Sequence, residues 1–476
     1  MFKRLSNDFQ KFSRERDKNM STISAISTAF GKGGIAVIRM SGDDSIDILS
    51  KVFKPSGNKN ITDFEPNTLV YGDIYKDGKV IDRGMAVYFK APKSYTGEDS
   101  AEIHCHGGIL LSQMVLEATF VAGAHPAGPG EFTQRAFLSG KMGLSQAESV
   151  IDLIDAQSES KVLLAASQAD GRLSKRVNFI YGQVMSIVSS IYAYIDYPDE
   201  DLTDISVEDM KKGLGDVKNA LEALKKTYKT GKAVCEGLNT VIVGKPNTGK
   251  SSLLNMLLGE ERAIVTSIAG TTRDTVEETV SAGRVLLRLC DTAGIREADD
   301  EVEEIGVRKA LEKLENAELI LAVFDGSDVL ADEDKNVINQ IKQLVGKTII
   351  VVINKADKGK VLSENDFADV TNHVISISAK DEIGKNELVE LIEKIYIDGE
   401  IEYSSACVVT NARQYASVCS ALVHVDAALG SLNEGFTQDI AGMELELALS
   451  ELGNLDGRKV TEDVVHNIFG RFCIGK

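Results

Sequence analysis

The spacing of apolar positions changes three times along the chain. Between residues 22 and 139 it is short and strand-like. Segments 34–40, 69–71 and 85–89 read as strands, and the stretch 95–108 leads into an apolar helix over 109–120. From residue 141 to about 230 the period turns helical: Leu144, Ala147, Ile151 and Ile154 share one face, and Ser/Ala-rich amphipathic stretches continue to residue 194. The acidic run 196–201 breaks this block and reads as a solvated loop. Between about 236 and 398, near-continuous apolar runs (285–289, 319–324, 348–353 and the shorter 374–377) alternate with helical stretches, as a parallel sheet covered on both faces requires. A second helical block starts near residue 411 and includes 443–452 and 461–469. The pattern predicts a multidomain α/β plus α chain. An α+β domain spans 22–139. Two helical blocks, 140–235 and 399–476, pack as one discontinuous helical domain, and an α/β domain at 236–398 is inserted between them.

At 476 residues the chain is too long for a single core. No apolar run approaches the roughly 18–20 residues of a bilayer span, so no membrane partner is expected. Six of the first twenty residues are Lys or Arg and no apolar core follows them, so residues 1–21 read as a basic extension, not a signal peptide. The net charge of −19 argues against non-specific nucleic-acid binding, although a local basic patch is compatible with it. The six cysteines are scattered and none forms C-x-x-C, which fits a reducing cytoplasm. His104 and His106 share a strand face, but no third ligand is evident nearby, and satisfied strand histidines are the commoner case.

One stretch carries chemistry outright. Gly244-Lys245-Pro246-Asn247-Thr248-Gly249-Lys250-Ser251 follows the apolar Val241-Ile242-Val243 and opens onto a helical run beginning at Ser252. This is the strand–loop–helix setting of a phosphate-binding P-loop. Its glycines let successive N–H groups turn inward toward an anion, Lys250 can reach the β- and γ-phosphates, and the Ser251 hydroxyl can ligate Mg²⁺. Downstream, Asp291-Thr292-Ala293-Gly294 offers an acid for Mg²⁺ through water and an N–H for the γ-phosphate, and Thr272 can add a second Mg²⁺ ligand. Asn354-Lys355-Ala356-Asp357 ends another apolar run. The Asp357 carboxylate, an acceptor only, suits guanine's paired donors, and Ser378-Ala379-Lys380 supplies a further base contact. The series resembles the Ras-like, translation-factor class of GTPases. The glutamine that orients water in Ras-like proteins is replaced here by Ile295. Asn247 and the loop holding Thr266, Ile268 and Thr271 can instead cage a monovalent cation beside the phosphates, and Glu303 can position water, although an acid in such a run is more often a solvated helix start.

A closer likeness rests on Gly33-Gly34 leading to Arg39, on residues 95–99 (Tyr-Thr-Gly-Glu-Asp), on residues 129–137 (Pro-Gly-Glu-Phe-Thr-Gln-Arg-Ala-Phe), on residues 291–297, and on the terminal Phe472-Cys473-Ile474-Gly475-Lys476. Over residues 21–476 the chain resembles the bacterial tRNA modification GTPase family known as MnmE or TrmE. The resemblance implies an N-terminal tetrahydrofolate-binding and dimerisation domain, a discontinuous helical domain and an inserted Ras-like P-loop GTPase domain. It implies that Arg39, Glu102, Lys141 and Lys476 meet a tetrahydrofolate derivative of the 5-formyl or methylene type. It implies K⁺ held at Asn247, Thr266, Ile268 and Thr271, with Glu303 as catalytic acid; the Cys473 thiol, near a one-carbon donor, can act as nucleophile or carrier or else pack as a small apolar residue. It further implies a homodimer that joins a flavin-dependent partner of the MnmG/GidA type, carrying FAD and NADH, in a heterotetramer that modifies the wobble uridine of tRNA. Two features depart from the family: the basic extension, and Ala124-His125-Pro126-Ala127-Gly128 before Pro129.

Two other readings fit parts of the pattern. A ribosome-assembly or RNA-binding GTPase would usually append a basic RNA-binding module, and the segment after residue 398 has no G-x-x-G loop of the KH type. A recruiting scaffold would leave the folate-matching residues at both ends of the chain without a purpose.

Overall fold

The computed structural model describes residues 21–196, 206–259, 277–290, 314–397, 407–459 and 461–476. Its internal contacts divide the chain into two compact units, one running to Ile151 and resuming at Asp456–Lys476, the other comprising Asp152–Leu455.

In the first unit, β1 (Ile23–Ile26), β2 (Ile35–Ser41), α1 (Ser45–Val52), β3 (Phe53–Pro55), β4 (Val70–Lys76), β5 (Lys79–Phe89), β6 (Ser100–His106), α2 (Ile109–Ala122), β7 (His125–Pro126) and α3 (Glu131–Leu138) follow in order, and α4 (Leu144–Ile154) begins there. The strands form one sheet in the order β3-β4-β5-β6-β2-β1-β7, antiparallel except for the short β1–β7 pair. Alternation decides its two faces. Ala36, Ile38 and Met40 of β2 and Ala101, Ile103 and Cys105 of β6 are buried in one core with Ile48 and Leu49 of α1 and Val115 of α2. The intervening Arg39, Glu102 and His104 therefore lie on the opposite face.

The second unit contains α5 (Glu159–Ala169), α6 (Arg172–Asp196), α7 (Val207–Cys235), β8 (Leu238–Val243), α8 (Lys250–Leu258), β9 (Glu277–Ala282), β10 (Val285–Cys290), β11 (Leu319–Asp325), α9 (Asp332–Lys342), β12 (Thr348–Asn354), β13 (Val374–Ser376), α10 (Lys385–Tyr396), α11 (Ala412–Asn433) and α12 (Gln438–Asp456). Ser206 starts α7 by accepting the Asp209 N–H, and Asn411 starts α11 by accepting the Gln414 N–H, which satisfies donors the helix itself cannot use. One face of each long helix is apolar: Val184 and Ile191, Leu214 and Leu221, Val418 and Val425, and Leu445 and Leu452 close a single helical core. The sheet order is β13-β12-β11-β8-β10-β9, parallel apart from the β9–β10 hairpin. Six consecutive residues of β11 are buried. Leu319, Leu321 and Val323 pack with α8 and α10, while Ile320, Ala322 and Phe324 pack with α9. The uninterrupted apolar runs are thus the signature of a sheet with helices on both faces.

The chain then returns to the first unit. In α13 (Glu462–Phe469) and just after it, Val465, Phe469 and Phe472 cluster with Leu144 and Ala147. The last residues are stitched to the sheet side: Ile474 bridges Pro129, the Phe132 N–H donates to the Lys476 carbonyl at 3.1 Å, and Ser27 Oγ donates to the Gly475 carbonyl at 3.0 Å. Gly475 adopts φ +99°, and a Cβ there would stand 2.3 Å from the Ile26 oxygen, so only glycine fits.

Three features of the contacts go beyond the sequence reading. The block 399–476 divides, because α11 and α12 join α6 and α7 whereas residues from Asp456 onward belong to the first unit. The first unit likewise extends past residue 139, since Leu144 and Ala147 of α4 are what Phe469 and Phe472 cover. Finally, α11 is long and apolar enough to cross a membrane, with mean hydropathy 1.3, because its polar positions are mostly small or uncharged. Its Val418, Ala421, Val425 and Ala428 are nevertheless buried in the helical core.

Candidate functional site: a phosphate-binding loop and a polar sheet face

The loop after β8 requires its glycines. Gly244 has φ +152° and Gly249 φ +97°; a Cβ on the first would lie 2.3 Å from the Val323 oxygen, and on the second 2.1 Å from Asn354 Nδ2. Asn247 takes the left-handed conformation at φ +65°, which asparagine tolerates better than most residues. Lys250 opens α8 and folds back, its Nζ donating to the Gly244 and Lys245 carbonyls at 2.9 and 2.8 Å. Burial pushes its pKa below the usual lysine value. Thr248 Oγ1 donates to the same Lys245 carbonyl at 3.0 Å. Ser251 and Ser252, exposed, occupy the first turn of α8, where helix N–H groups and the dipole favour an anion.

The base side is built from the ends of β12 and β13. Buried Asn354 donates from Nδ2 to the Thr248 carbonyl and accepts the Ala379 N–H at Oδ1, both at 2.9 Å. Its side chain therefore ties the phosphate loop to the 378–380 loop. Lys355, at φ +64°, pairs with Asp325 at the end of β11 (2.5 Å). Burial opposes ionisation of Asp325, but hydrogen bonds from Lys355 and Ser327 outweigh it and hold the carboxyl below its ordinary pKa. Asp357 is exposed, with Oδ1 2.8 Å from Ser378 Oγ, and Lys380 is exposed beside it. Thr266, Ile268, Thr271, Thr272, Asp291, Thr292, Ala293, Gly294, Ile295 and Glu303 lie outside the described residues.

Two acids escape sequence reasoning. Asp334, 2% exposed in the first turn of α9, accepts from Lys245 Nζ at 2.7 Å and from the Ala331 N–H at 3.0 Å. Asp325 is the other. Both sit outside the phosphate and base motifs, and only the fold brings them there.

On the open face of the first sheet, Arg39 and Glu102 are directly opposed across β2 and β6. Arg39 Nε donates to Glu102 Oε1 at 2.9 Å, and His104 Nε2 lies 3.3 Å from Oε2. The His104 hydrogen bond, working against burial and joined by the Arg39 charge, lowers the Glu102 pKa. The Arg39 guanidinium sits 5.7 Å from the Tyr95 ring centroid and 5.8 Å from that of Phe132. Phe132 is also the residue whose N–H holds the Lys476 carbonyl. Lys141 is exposed and reaches the Pro92 carbonyl at 2.9 Å, and the Cys473 side chain is exposed. Arg39 thus links Glu102 to Tyr95 and Phe132, two aromatics that motif reading quoted without assigning, and the Lys476 backbone is held at Phe132. Phe132 is fully buried, so the exposed Tyr95 ring, the carboxylate and the guanidinium are the groups that fit a flat heterocycle with N–H donors. His106 pairs with Asp82 at 2.8 Å and His104 with Glu102, and among the described residues no group of three such side chains could hold a metal ion.

A glycine loop closed around a lysine at the switch in strand order, with an Asn-Lys-x-Asp loop beside it, defines a P-loop nucleotide-binding domain of the guanine type. The description MnmE helical domain matches residues 144–473, and GTP-binding protein TrmE N-terminus matches residues 22–141. The tRNA modification GTPase MnmE of Clostridioides difficile is 41% identical over 457 residues, 96% of this chain and 99% of that protein. Its counterpart in Desulforamulus reducens is 42% identical over 461 residues, with the same coverage. A solved Era structure from Aquifex aeolicus with GDP.AlF4- is 29% identical over 39% of this chain and 65% of its own, with a TM-score of 0.26. The chain belongs to the MnmE family of tRNA modification GTPases.

Proposed function

We propose that this chain hydrolyses GTP, activated by potassium, and with a flavin-dependent partner installs an aminomethyl or carboxymethylaminomethyl group at C5 of the tRNA wobble uridine. The observation that carries the reading is the Asn354 bridge, which joins a preformed phosphate loop to a guanine-type base loop in a chain that belongs to this family. Lys250 neutralises the β- and γ-phosphates, and Ser251 with Thr272 would hold Mg²⁺, which stabilises the charge that develops between them. Asn247, Thr266, Ile268 and Thr271 would hold K⁺ where an arginine finger acts in related enzymes. Glu303 positions the attacking water, a role Ile295 cannot fill.

In the first unit, Arg39, Glu102, Lys141 and Lys476 would hold a tetrahydrofolate derivative, which supplies the one-carbon unit when bound. Glu102 accepts from ring N–H groups and the cations pair with carboxylates. Cys473 serves as nucleophile or carrier beside it. The chain works as a cytoplasmic homodimer, with FAD and NADH on the partner. GTP hydrolysis in potassium and sodium buffers of matched ionic strength tests the reading. Stimulation by potassium, lost in Asn247→Ala, is expected; equal rates in the two salts would remove the cation from the mechanism.

A further inference from the structure

Away from the phosphate loop, α7, α10 and α11 enclose an open pocket of about 670 Å³. Its lining includes Lys225, Lys226, Lys229 and Lys232 of α7, with Tyr228, Tyr396 and Tyr415 from the three helices. The Tyr228 and Tyr415 rings stack at 4.2 Å with 19° between their planes, and the Lys229 ammonium lies 5.4 Å from the Tyr396 centroid. Structural roles account for part of this set. Lys232 lies in the last turn of α7, where a cation suits the helix dipole, and it is paired to Glu318 at 2.5 Å. Lys225 and Lys226 are more than two turns from that end, too far for the dipole to reward them. Both are exposed, and neither has an ion pair among the described residues. Glu222 is the one other acid in the lining, so the pocket keeps a positive surplus within a chain of net charge −19.

Ammonium groups along a rim and aromatic rings at the floor are the two elements that hold single-stranded nucleic acid, the first through phosphates and the second through base stacking. We infer that this pocket binds a single-stranded segment of the tRNA substrate, with phosphates on Lys225, Lys226 and Lys229 and a base against the tyrosines. The inference rests on the reading that the chain acts on tRNA. It gives that reading a contact surface inside the second unit whose lining includes none of the residues assigned to GTP.

Binding of unfractionated tRNA to the complete chain across a salt series tests it. The K225E/K226E variant is expected to bind at least about tenfold more weakly and to flatten the log K against log salt slope by about two, while its GTP hydrolysis stays within about twofold of wild type. Tyr415→Leu is expected to weaken binding with the slope unchanged. Wild-type affinity and slope in both variants would overturn the pocket alone. Failure of the wild-type chain to bind tRNA would overturn the tRNA reading and the pocket with it. Loss of UMP binding in the variants, with tRNA binding intact, would overturn it in favour of a free nucleotide.

Discussion

Asn354 shows how much a single carboxamide can do in this fold. Its donor holds the phosphate loop and its acceptor holds the base loop, so it serves both halves of the nucleotide site from 2% exposure. Asp357, by contrast, is exposed and, among the described residues, held by Ser378 alone, which leaves its carboxylate available to a ligand. Asp357→Asn replaces an acceptor facing guanine's N1–H and exocyclic amine with a group that can also donate. GDP affinity is expected to fall at least 100-fold, about 2.7 kcal/mol, with xanthosine diphosphate favoured in its place; titration of both nucleotides reads this. The motif was legible because its residue types and spacing are fixed. The Asn354 bridge was not, since its partners are a backbone carbonyl and a backbone N–H that no side-chain pattern announces. Arg39 and Glu102 were named separately from family likeness, and only the strand register makes them a pair.

At the scale of elements, α9 is fastened to the phosphate loop by one ion pair. Asp334 accepts from both Lys245 and the Ala331 N–H, and Lys245 in turn offers the carbonyl that Lys250 and Thr248 share. Asp334→Ala strips the partner from the half-buried Lys245 ammonium and uncaps the helix start, at an expected cost of about 1–2 kcal/mol in urea unfolding. GDP affinity is expected to drop about tenfold in the same variant, whereas Asp334→Asn, which keeps the cap, should fall between. Unchanged GDP affinity would separate α9 from the loop. The long strands β11 and β12 were readable because burial on both faces removes all polar positions. The short β1, β3 and β7 were not, for two to four residues carry no period, and neighbours alone make them strands.

For the whole molecule, two compact units imply two unfolding transitions. GDP at 100 times its Kd is expected to stabilise the unit containing the phosphate loop by about 2.7 kcal/mol and leave the other unmoved. Removing Ile474, Gly475 and Lys476 is expected to do the reverse, because the bridge to Pro129 and the bonds to Phe132 and Ser27 belong to the first unit. Calorimetry with and without nucleotide distinguishes these; a single transition shifted by both changes would contradict the division.

That stitched tail also sets an order of events at the ribosome. Between Ile151 and Asp456 the nascent chain makes an excursion of roughly 300 residues. At about 5–20 residues per second this takes about 15–60 seconds. Throughout that interval the first sheet waits with Phe132 and Ser27 unmet, and the nucleotide-binding unit is complete only at its end. A chain cut after Leu455 therefore carries a finished phosphate loop together with an uncovered apolar patch at Leu144 and Ala147, which marks it as lacking the returning segment.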